Sequence, residues 1–324
     1  MDRTLLTILG LCLVVFTTNC LADRLHLLIP AGPGGGLDST ARAIGESLIK
    51  LKTSHKVTYE NRTGGGGGKA MSYFINSKKD FKNTLLVNST PILIRSIQGV
   101  FKQSYQDLVP LAALISDPAV IAVREDSKYS DLNSIISELR KTNKKVLVGG
   151  GSVKGSLDHI ALALLLKESK IPFNIARYIP YDGGGKALIG LLSSEVDVLV
   201  SGLGETINQH RSKSVRILGV SSVERINELP EVPTFKELEI DLVFSNWRGL
   251  FASSSTSKQD INRAKALIRE LVTSLEWQNQ LIRYGWEPFY LEGAQFESFL
   301  KAQEDVLRET LITALSTSYG ILTS

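Results

Sequence analysis

Short apolar runs alternate with segments of helical periodicity along most of the chain. In residues 37–50 the apolar positions recur every three or four residues, which predicts an amphipathic helix. The same pattern predicts helices at residues 70–76, 156–168 and 185–192. Apolar runs bounded by polar or glycine residues predict strands at 25–29, 57–60, 85–88, 120–123, 145–148, 177–179, 196–200 and 216–220. This alternation predicts an α/β fold with parallel sheets and helices on both faces.

The C-terminal part of the chain departs from this alternation. After a predicted loop at residues 253–257, the segment from 260 to about 315 is predicted as nearly all helix. The chain has 324 residues, and about 300 of them follow the N-terminal apolar segment. A single core rarely grows to that size, so two domains are expected.

The first 22 residues have the pattern of an export signal. Arg3 supplies a short positive region, and an apolar stretch at residues 5–16 follows. Cys20 and Ala22 then occupy the −3 and −1 positions of a cleavage site, which predicts cleavage after Ala22 and a periplasmic protein. The apolar stretch is shorter than the roughly 20 residues of a membrane-spanning helix, so a retained anchor is less favoured. A lipid on Cys20 is less favoured still, because Asn19 is larger than the residue usual there.

Composition excludes several kinds of site from the mature chain. Both cysteines, Cys12 and Cys20, lie in the export segment, which excludes disulfides, cysteine nucleophiles and cysteine-bound metals. Removing Asp2 and Arg3 from the 33 acidic and 37 basic residues leaves 32 and 36, a net charge of +4. The basic residues are scattered and indicate no nucleic-acid partner. The histidines lack the spacing of metal ligands, so no metal site and no cofactor are predicted.

The glycine clusters do not match nucleotide or hydrolase motifs. A phosphate-binding loop would need glycine at position 63 and a hydroxyl residue after the lysine, where the chain has Thr63 and Ala70. The dinucleotide-like spacing from Gly65 to Ala70 is not followed by an acidic residue at the end of the next strand. The chain also lacks a G-x-S-x-G sequence. The sequence therefore predicts a protein that is not an enzyme.

Four glycine-rich turns, at residues 30–38, 61–69, 149–156 and 181–186, each follow a predicted strand and precede a predicted helix. In open parallel sheets, ligands bind beyond the carboxyl ends of the strands, where helix N-termini present free N–H groups and partial positive charge. Glycine lets the backbone approach an anion closely, although in any single turn it can serve only the tight bend. Together the turns predict a carboxylate site. The candidate ligand-binding residues are Gly34, Gly35, Gly36, Asp38, Gly64, Gly66, Ser89, Thr90, Ser152, Ser156, Asp182, Gly183, Gly184 and Lys186.

Charged side chains near these turns have two alternative roles. Asp38 and Arg42 are four residues apart and can pair on the surface of their helix. Lys69 and Lys186 can each face a ligand carboxylate or solvent, and Lys154 is expected to lie in solvent. The site is therefore expected to depend on backbone amides more than on one dominant charge.

Two serines of the third turn are expected to have different roles. Ser156 lies closer to the predicted helix, so its hydroxyl is expected to cap the helix N-terminus. Ser152 is expected to donate its hydroxyl to a ligand carboxylate.

A series of motifs covers nearly the whole chain after the export segment. The motifs are residues 30–38 with Ala41-Arg42, residues 60–67, residues 151–159, residues 181–187 followed by Glu195-Val196-Asp197, residues 225–237, Trp247-Arg248-Gly249-Leu250 and Glu276-Trp277. In this order they resemble the substrate-binding receptors of the tripartite tricarboxylate transporter family, also called Bug receptors. The differences from the family pattern bear on the ligand more than on the fold. They are Thr63 in place of proline, Gly65 in place of alanine, the added charge of Lys69, and Ser253-Ser254 in place of Ala-Pro.

The resemblance implies a two-lobed type II periplasmic binding fold, a Venus flytrap with the ligand cleft between its lobes. It implies that residues 23–122 and 247–324 form the first lobe and residues 123–246 the second, with hinge segments near 119–123 and 246–251. Residues 1–22 are the export signal.

The resemblance also implies a function. The protein would capture a small di- or tricarboxylate, such as citrate, and deliver it to a large and a small membrane subunit. Backbone amides, hydroxyls and waters would hold the ligand, and the protein is expected to be a monomer. Two alternatives stay open: a sensory receptor that signals to a membrane histidine kinase, and an exported enzyme.

Overall fold

The computed structural model describes residues 24–319 with the exception of residues 55, 78, 142–145 and 173–174, and it describes side chains as far as residue 308. The predicted export segment, with its cleavage site after Ala22, lies outside the described residues. In the described part of the chain, none of the helices combines the length and the apolar character that a membrane crossing requires.

Strands and helices alternate through most of the described chain. The strands are β1 (Leu25–Ile29), β2 (Val57–Asn61), β3 (Thr84–Ser89), β4 (Leu108–Arg124), β5 (Leu147–Gly150), β6 (Arg177–Pro180), β7 (Val198–Gly202), β8 (Val215–Val220), β9 (Ser245–Ser253) and β10 (Glu287–Glu292). The helices are α1 (Gly36–Lys50), α2 (Gly68–Asn76), α3 (Pro91–Ile97), α4 (Leu132–Arg140), α5 (Leu157–Glu168), α6 (Gly184–Leu192), α7 (Leu203–Arg211), α8 (Lys258–Thr273), α9 (Leu275–Tyr284) and α10 (Ala294–Tyr319). Each predicted strand falls on one of these strands, although β4 is much longer than the predicted residues 120–123.

The long strand β4 belongs to two sheets. From Leu108 to Pro118 it pairs antiparallel with β9, and β10 pairs with it on the other side. From Ala119 to Arg124 it pairs antiparallel with β7 and β8 instead. The first sheet has the strand order β2-β1-β3-β9-β4, and the second continues as β4-β7-β5-β6. The chain therefore forms two lobes joined through β4 and through the return of the chain along β9.

Each sheet is covered by helices on both faces, which explains its apolar strands. Adjacent strand residues point to opposite faces. In β1, Leu27 packs in the cluster formed with α1, α8 and α9, whereas Leu28 packs with α2, α3 and α10. In β7, Val198 packs with α4 and α5, whereas Leu199 packs with α6 and α7. All four side chains are almost completely buried.

The C-terminal region predicted as nearly all helix consists of α8, α9 and α10, and the prediction missed one strand between α9 and α10. Gly285 adopts the left-handed conformation with a φ of 64° and ends α9, and β10 follows it. This six-residue strand pairs antiparallel with β4, and Ser116 donates a hydrogen bond to Glu287, which lies 171 residues further along the chain. A strand that depends on so distant a partner leaves little signal in its local periodicity.

The parallel strands of both sheets direct the turns that follow them to the cleft between the lobes. In the first lobe β1 is parallel to β2 and β3, and in the second lobe β5 is parallel to β6 and β7. The predicted lobe boundaries after residues 122 and 246 fall inside β4 and β9. These boundaries stay predictions.

Candidate functional site

The four glycine-rich turns meet at one cavity between the two lobes. The turns before α1 and α2 come from the first lobe, and the turns before α5 and α6 come from the second. The cavity has a volume of about 240 Å³, and its lining includes the carboxyl ends of β3 and β7 and the start of β9. This is the position at which open α/β sheets bind ligands.

Ten of the fourteen candidate ligand-binding residues line this cavity. They are Gly35, Gly36, Gly64, Gly66, Ser89, Ser152, Ser156, Asp182, Gly183 and Gly184. The other four, Gly34, Asp38, Thr90 and Lys186, lie outside the lining. Lys186 is exposed and its Nζ lies 3.5 Å from the exposed Asp182 carboxylate, and Thr90 is buried with its N–H donating to Asn246.

Six helices of the described chain begin at the cavity. They are α1, α2 and α3 from the first lobe and α5, α6 and α7 from the second. The first-turn N–H groups of a helix have no partner within the helix, and the helix dipole adds partial positive charge there. Helix ends whose N–H groups are free therefore attract anions to the cleft.

The turn before α2 places four glycines in conformations with positive φ. The φ angles are 116° at Gly64, 62° at Gly65, 61° at Gly66 and 95° at Gly67. Residues with a side chain rarely adopt this region, so glycine is required for this backbone path. Gly65, which differs from the alanine usual in the resembling family, is one of these positions.

Asp38 stabilises the first turn from behind rather than facing the cavity. Its carboxylate accepts hydrogen bonds from the Gly34 N–H at 2.9 Å, from Arg42 at 2.9 Å and from Asn61 at 3.0 Å. Burial raises the pKa of Asp38, but the bonds from Arg42, Gly34 and Asn61 outweigh it and hold the pKa below its ordinary value. The alternative role for Asp38 and Arg42, pairing on one helix, is the one observed.

In the third turn, the prediction that the Ser156 hydroxyl caps the following helix is wrong. Ser156 precedes α5 but makes no side-chain hydrogen bond to it. The Ser152 Oγ instead accepts from the Asp158 N–H at 2.9 Å, and the Ser152 carbonyl accepts from the Tyr178 hydroxyl at 2.6 Å. The turn folds back far enough that the earlier serine reaches the helix end.

Asp158 is a buried carboxylate in the lining of the cavity. Burial and the nearby carboxylates of Glu205 and Asp117 raise its pKa to about 7, while hydrogen bonds from Ser152 and Gly151 oppose this rise. Its position in the first turn of α5 also complements the dipole of that helix.

A buried ion pair joins β4 and β9 beneath the cavity. Arg248 donates to Asp117 and, at 3.1 Å, to the Thr40 hydroxyl, and the side chains of Arg248 and Asp117 are only 3% and 0% exposed. Asp117 also accepts from the Gly204 N–H at 3.0 Å. Burial raises the pKa of Asp117 to about 6, and the charge of Arg248 and the Gly204 N–H hold it below neutrality. The charge of Arg248 is therefore compensated within the protein.

Glu205, in the first turn of α7, reaches across the cleft to the other lobe. Its Oε1 accepts from the Gly36 N–H at 2.5 Å, and its Oε2 accepts from the Ser201 hydroxyl at 2.6 Å. A Cβ atom on Gly184 would lie 2.3 Å from the Glu205 carboxyl carbon. The carboxylate thus sits between the N-termini of α1 and α6, one from each lobe.

Arg95 lies behind the second turn. Its Nε would lie 2.9 Å from a Cβ atom on Gly66, and it is buried without a hydrogen-bond partner. Arg95 donates to Gln98 at 2.8 Å, and Gln98 donates across the cleft to the Gly155 carbonyl at 2.6 Å. This chain of side chains connects α3 of the first lobe to the third turn in the second.

Comparison with known proteins identifies the family. The model of the tripartite tricarboxylate transporter family receptor matches residues 40–316 of the chain. The chain belongs to this family. Members of the family are periplasmic solute-binding receptors for carboxylates that work with membrane components of a transporter. The family resemblance drawn from the ordered motifs is confirmed.

Individual relatives agree over nearly the full length of this receptor. BugT of Bordetella pertussis is 25% identical over 297 residues, which is 89% of this chain and 90% of BugT. Two solved structures from Rhodopseudomonas palustris share the fold. MatC, solved with bound malate, gives a TM-score of 0.73 at 21% identity over 91% of this chain and 99% of its own. A second protein, solved with adipate, gives a TM-score of 0.80 at 18% identity over 92% of this chain and 98% of its own.

These comparisons confirm the predicted fold class. The receptor has the two-lobed type II periplasmic binding fold, and its mixed, curled sheet is continuous through β4. The cavity lies in the cleft between the lobes, where the four turns meet.

The receptor's charged residues at the cleft were largely missed by the sequence analysis. Glu205 lies in a helix that was not predicted, and Asp117 lies in the unpredicted part of β4. Arg248 had a local signal, because an arginine inside an apolar strand must find a buried partner. Arg95 had none. Among the described residues, no group of three His, Cys, Asp or Glu side chains could hold a metal ion.

Proposed function

We propose that this receptor captures a small organic carboxylate in the cleft and presents it to a membrane transporter. The observation that carries the proposal is the convergence of six helix N-termini and four glycine-rich turns on one cavity between two lobes. Backbone N–H groups at helix ends bind carboxylates without a dedicated cation. Two structures of the same fold, one solved with bound malate and the other with adipate, support this ligand class. Citrate, a tricarboxylate, belongs to the same class.

The membrane partners in this proposal are a large and a small transporter subunit, and the receptor acts as a monomer in the periplasm after cleavage near Ala22. Residues 23–122 and 247–324 would move as one lobe and residues 123–246 as the other. The lobes close on the ligand by rotation about the two strands that connect them.

A non-catalytic receptor fits the cavity better than an exported enzyme does. The cavity is built from backbone turns, and the Glu205 and Asp158 carboxylates in its lining accept hydrogen bonds from N–H and hydroxyl groups. A sensory receptor would use the same cleft and differ only in its membrane partner. A neighbouring gene pair for one large and one small multi-span membrane protein would favour transport over sensing.

Calorimetric titration tests the proposal, with malate, adipate and citrate as the carboxylates. We expect at least one of them to bind and to lower the radius of gyration in solution scattering. The variant Gly151→Ala should abolish binding, because its Cβ atom would lie 2.2 Å from the backbone nitrogen of Gly184 and force two turns apart. Lys154→Ala, an exposed change in the same turn, is the matched control and should bind normally. An absence of binding to any organic acid, or turnover of a bound one, would refute the receptor function.

A further inference from the structure

The carboxylate of Glu205 occupies a position that suits a ligand carboxylate. It lies between the start of α1 in one lobe and the start of α6 in the other, and it accepts the Gly36 N–H at 2.5 Å. An acidic residue in the first turn of a helix ordinarily complements that helix's own dipole. Glu205 goes further, because one of its oxygens complements a different helix across the cleft. One of the anion-binding positions of the cleft is therefore filled by the protein itself.

The charged side chains near the cavity make its two ends differ in charge. No Lys, Arg or His nitrogen of the described residues lies within 4.0 Å of the Glu205 or Asp158 carboxylates. Arg248, the one arginine of the described residues that line the cavity, is paired with Asp117. The Glu205 end of the cavity is thus negative and lacks a positive partner in the described chain.

The other end of the cavity, at the turn before α2, has no acidic side chain of its own. The turn with Gly64 and Gly66 leads into α2, which has no acidic residue in its first turn. Arg95 lies behind Gly66, its Nε is buried without a partner, and no carboxylate of the described residues lies within 4.0 Å of its guanidinium. Arg95 is partly exposed, and its charge has no carboxylate partner among the described residues, so this end of the cavity can accept an anionic group.

We propose that the ligand of this receptor carries a single carboxylate and a positively charged nitrogen, and that Glu205 selects it over a dicarboxylate. The proposal rests on the proposed carboxylate-receptor function and names the ligand class within it. The ligand carboxylate binds the turn of Gly64–Gly67 beside Arg95, and the nitrogen faces Glu205 and Asp158. A dicarboxylate would place its second carboxylate against the Glu205 carboxylate, where like charges repel.

Pairs of ligands that differ only at one end test the proposal. Succinate, glutarate and adipate are compared with β-alanine, 4-aminobutyrate and 5-aminovalerate, in which an ammonium group replaces one carboxylate at the same methylene count. Calorimetry on the wild-type receptor should give an affinity about tenfold or more higher for the amino acid of the best-fitting pair, the size expected for a hydrogen bond to a charged group.

The variant Glu205→Gln separates charge from shape. Its amide oxygen can still accept the Gly36 N–H, so the fold of the turn is retained while the negative charge is lost. We expect the amino acid to bind about tenfold more weakly and the dicarboxylate more tightly, so that the preference falls or reverses. Asp126→Asn is the matched control, because it removes an exposed carboxylate that lies outside the lining and should leave the preference unchanged within about twofold.

The outcomes separate this proposal from the receptor function. Dicarboxylates that bind the wild type as tightly as their amino counterparts would overturn the ligand class while leaving the receptor function intact. This comparison needs no variant, so it stands even if Glu205→Gln fails to fold. A preference that Glu205→Gln and Asp126→Asn change equally would also overturn it. Failure of every compound to bind would count against the receptor function itself.

Discussion

Each lobe forms one wall of the cleft and presents three helix N-termini to the cavity. They belong to α1, α2 and α3 on the first wall and to α5, α6 and α7 on the second. The side chains in those first turns differ. On the first wall Asp38 turns behind its own loop to accept the Gly34 N–H, and α2 and α3 have no acidic residue there. On the second wall Asp158 and Glu205 both line the cavity.

This contrast shows how one backbone device can serve two purposes. Where the first turn lacks an acid, the free N–H groups are left for a ligand anion. Where an acid is present and faces the cleft, the protein supplies its own anion and leaves a negative surface. A binding cleft with six similar helix ends can therefore orient a polar ligand without any metal or cofactor. Four predictions test the contrast.

The largest expected effect concerns the arginine whose charge the protein uses internally. Arg248→Met leaves Asp117 buried without its partner, and the free energy of unfolding of the ligand-free receptor should fall by about 3–5 kcal/mol in denaturant titration. Arg283→Met, which removes an exposed pair with Glu46, is the control and should cost less than about 1 kcal/mol. The double variant Asp117→Asn with Arg248→Met should recover part of the loss. Equal losses in Arg248→Met and the control would show that Arg248 is free to serve the ligand.

The second prediction concerns the buried carboxylate of the second wall. The folded receptor raises the pKa of Asp158 from 3.8 to about 7, so the folded state holds this proton more tightly than the unfolded state does. Asp158 therefore favours folding fully below about pH 4, and this contribution is lost as the pH rises through 7. The difference corresponds to at most roughly 4 kcal/mol.

The variant Asp158→Asn isolates this effect from the other titrating groups. The free energy of unfolding of the wild type should fall relative to that of Asp158→Asn as the pH is raised from about 4 to about 8. Denaturant titrations of both proteins across this range measure the difference. Parallel pH profiles would mean that Asp158 is not the buried, anion-flanked group that distinguishes the second wall.

The backbone turns of the cleft could be predicted from the sequence, whereas most of its charge pairs could not. The glycine-rich turns were predictable because strand, turn and helix follow one another locally, and glycine marks the bends. Glu205 was not predictable, because its partner Gly36 lies 169 residues away and the pairing exists only once the lobes meet. Asp117 and Arg248 are 131 residues apart and raise the same difficulty. Local patterns fix where the backbone turns, and tertiary contacts decide which charges it meets.

The third prediction compares one glycine from each wall. A Cβ atom on Gly184 would lie 2.3 Å from the Glu205 carboxylate, whereas on Gly35 its nearest neighbour would be 3.6 Å away, an ordinary contact. Gly184→Ala should displace Glu205 from the Gly36 N–H and weaken ligand binding about tenfold, whereas Gly35→Ala should change it less than about threefold. Calorimetry with the best ligand of the panel measures both.

Lys186→Ala serves as the control for this pair, because Lys186 is exposed and pairs only with Asp182 among the described residues. Its affinity should match the wild type. Equal tolerance of alanine at positions 35 and 184 would show that Glu205 has room to move and does not fix the shape of the second wall.

The smallest expected effect concerns the two serines beside α5 on the second wall. Ser152 accepts the Asp158 N–H and so caps the helix from six residues away, whereas Ser156 makes no side-chain bond to it. Ser152→Ala should therefore lower the free energy of unfolding of the ligand-free receptor by about 0.5–2 kcal/mol, and Ser156→Ala by less than about 0.5 kcal/mol. Denaturant titration separates these values. Because the Ser152 hydroxyl also holds down the pKa of Asp158, its loss should raise that pKa further and extend the pH range over which Asp158 is protonated. The opposite ranking of the two serines would restore the cap to Ser156, and the hydroxyl of Ser152 would then be free for the ligand.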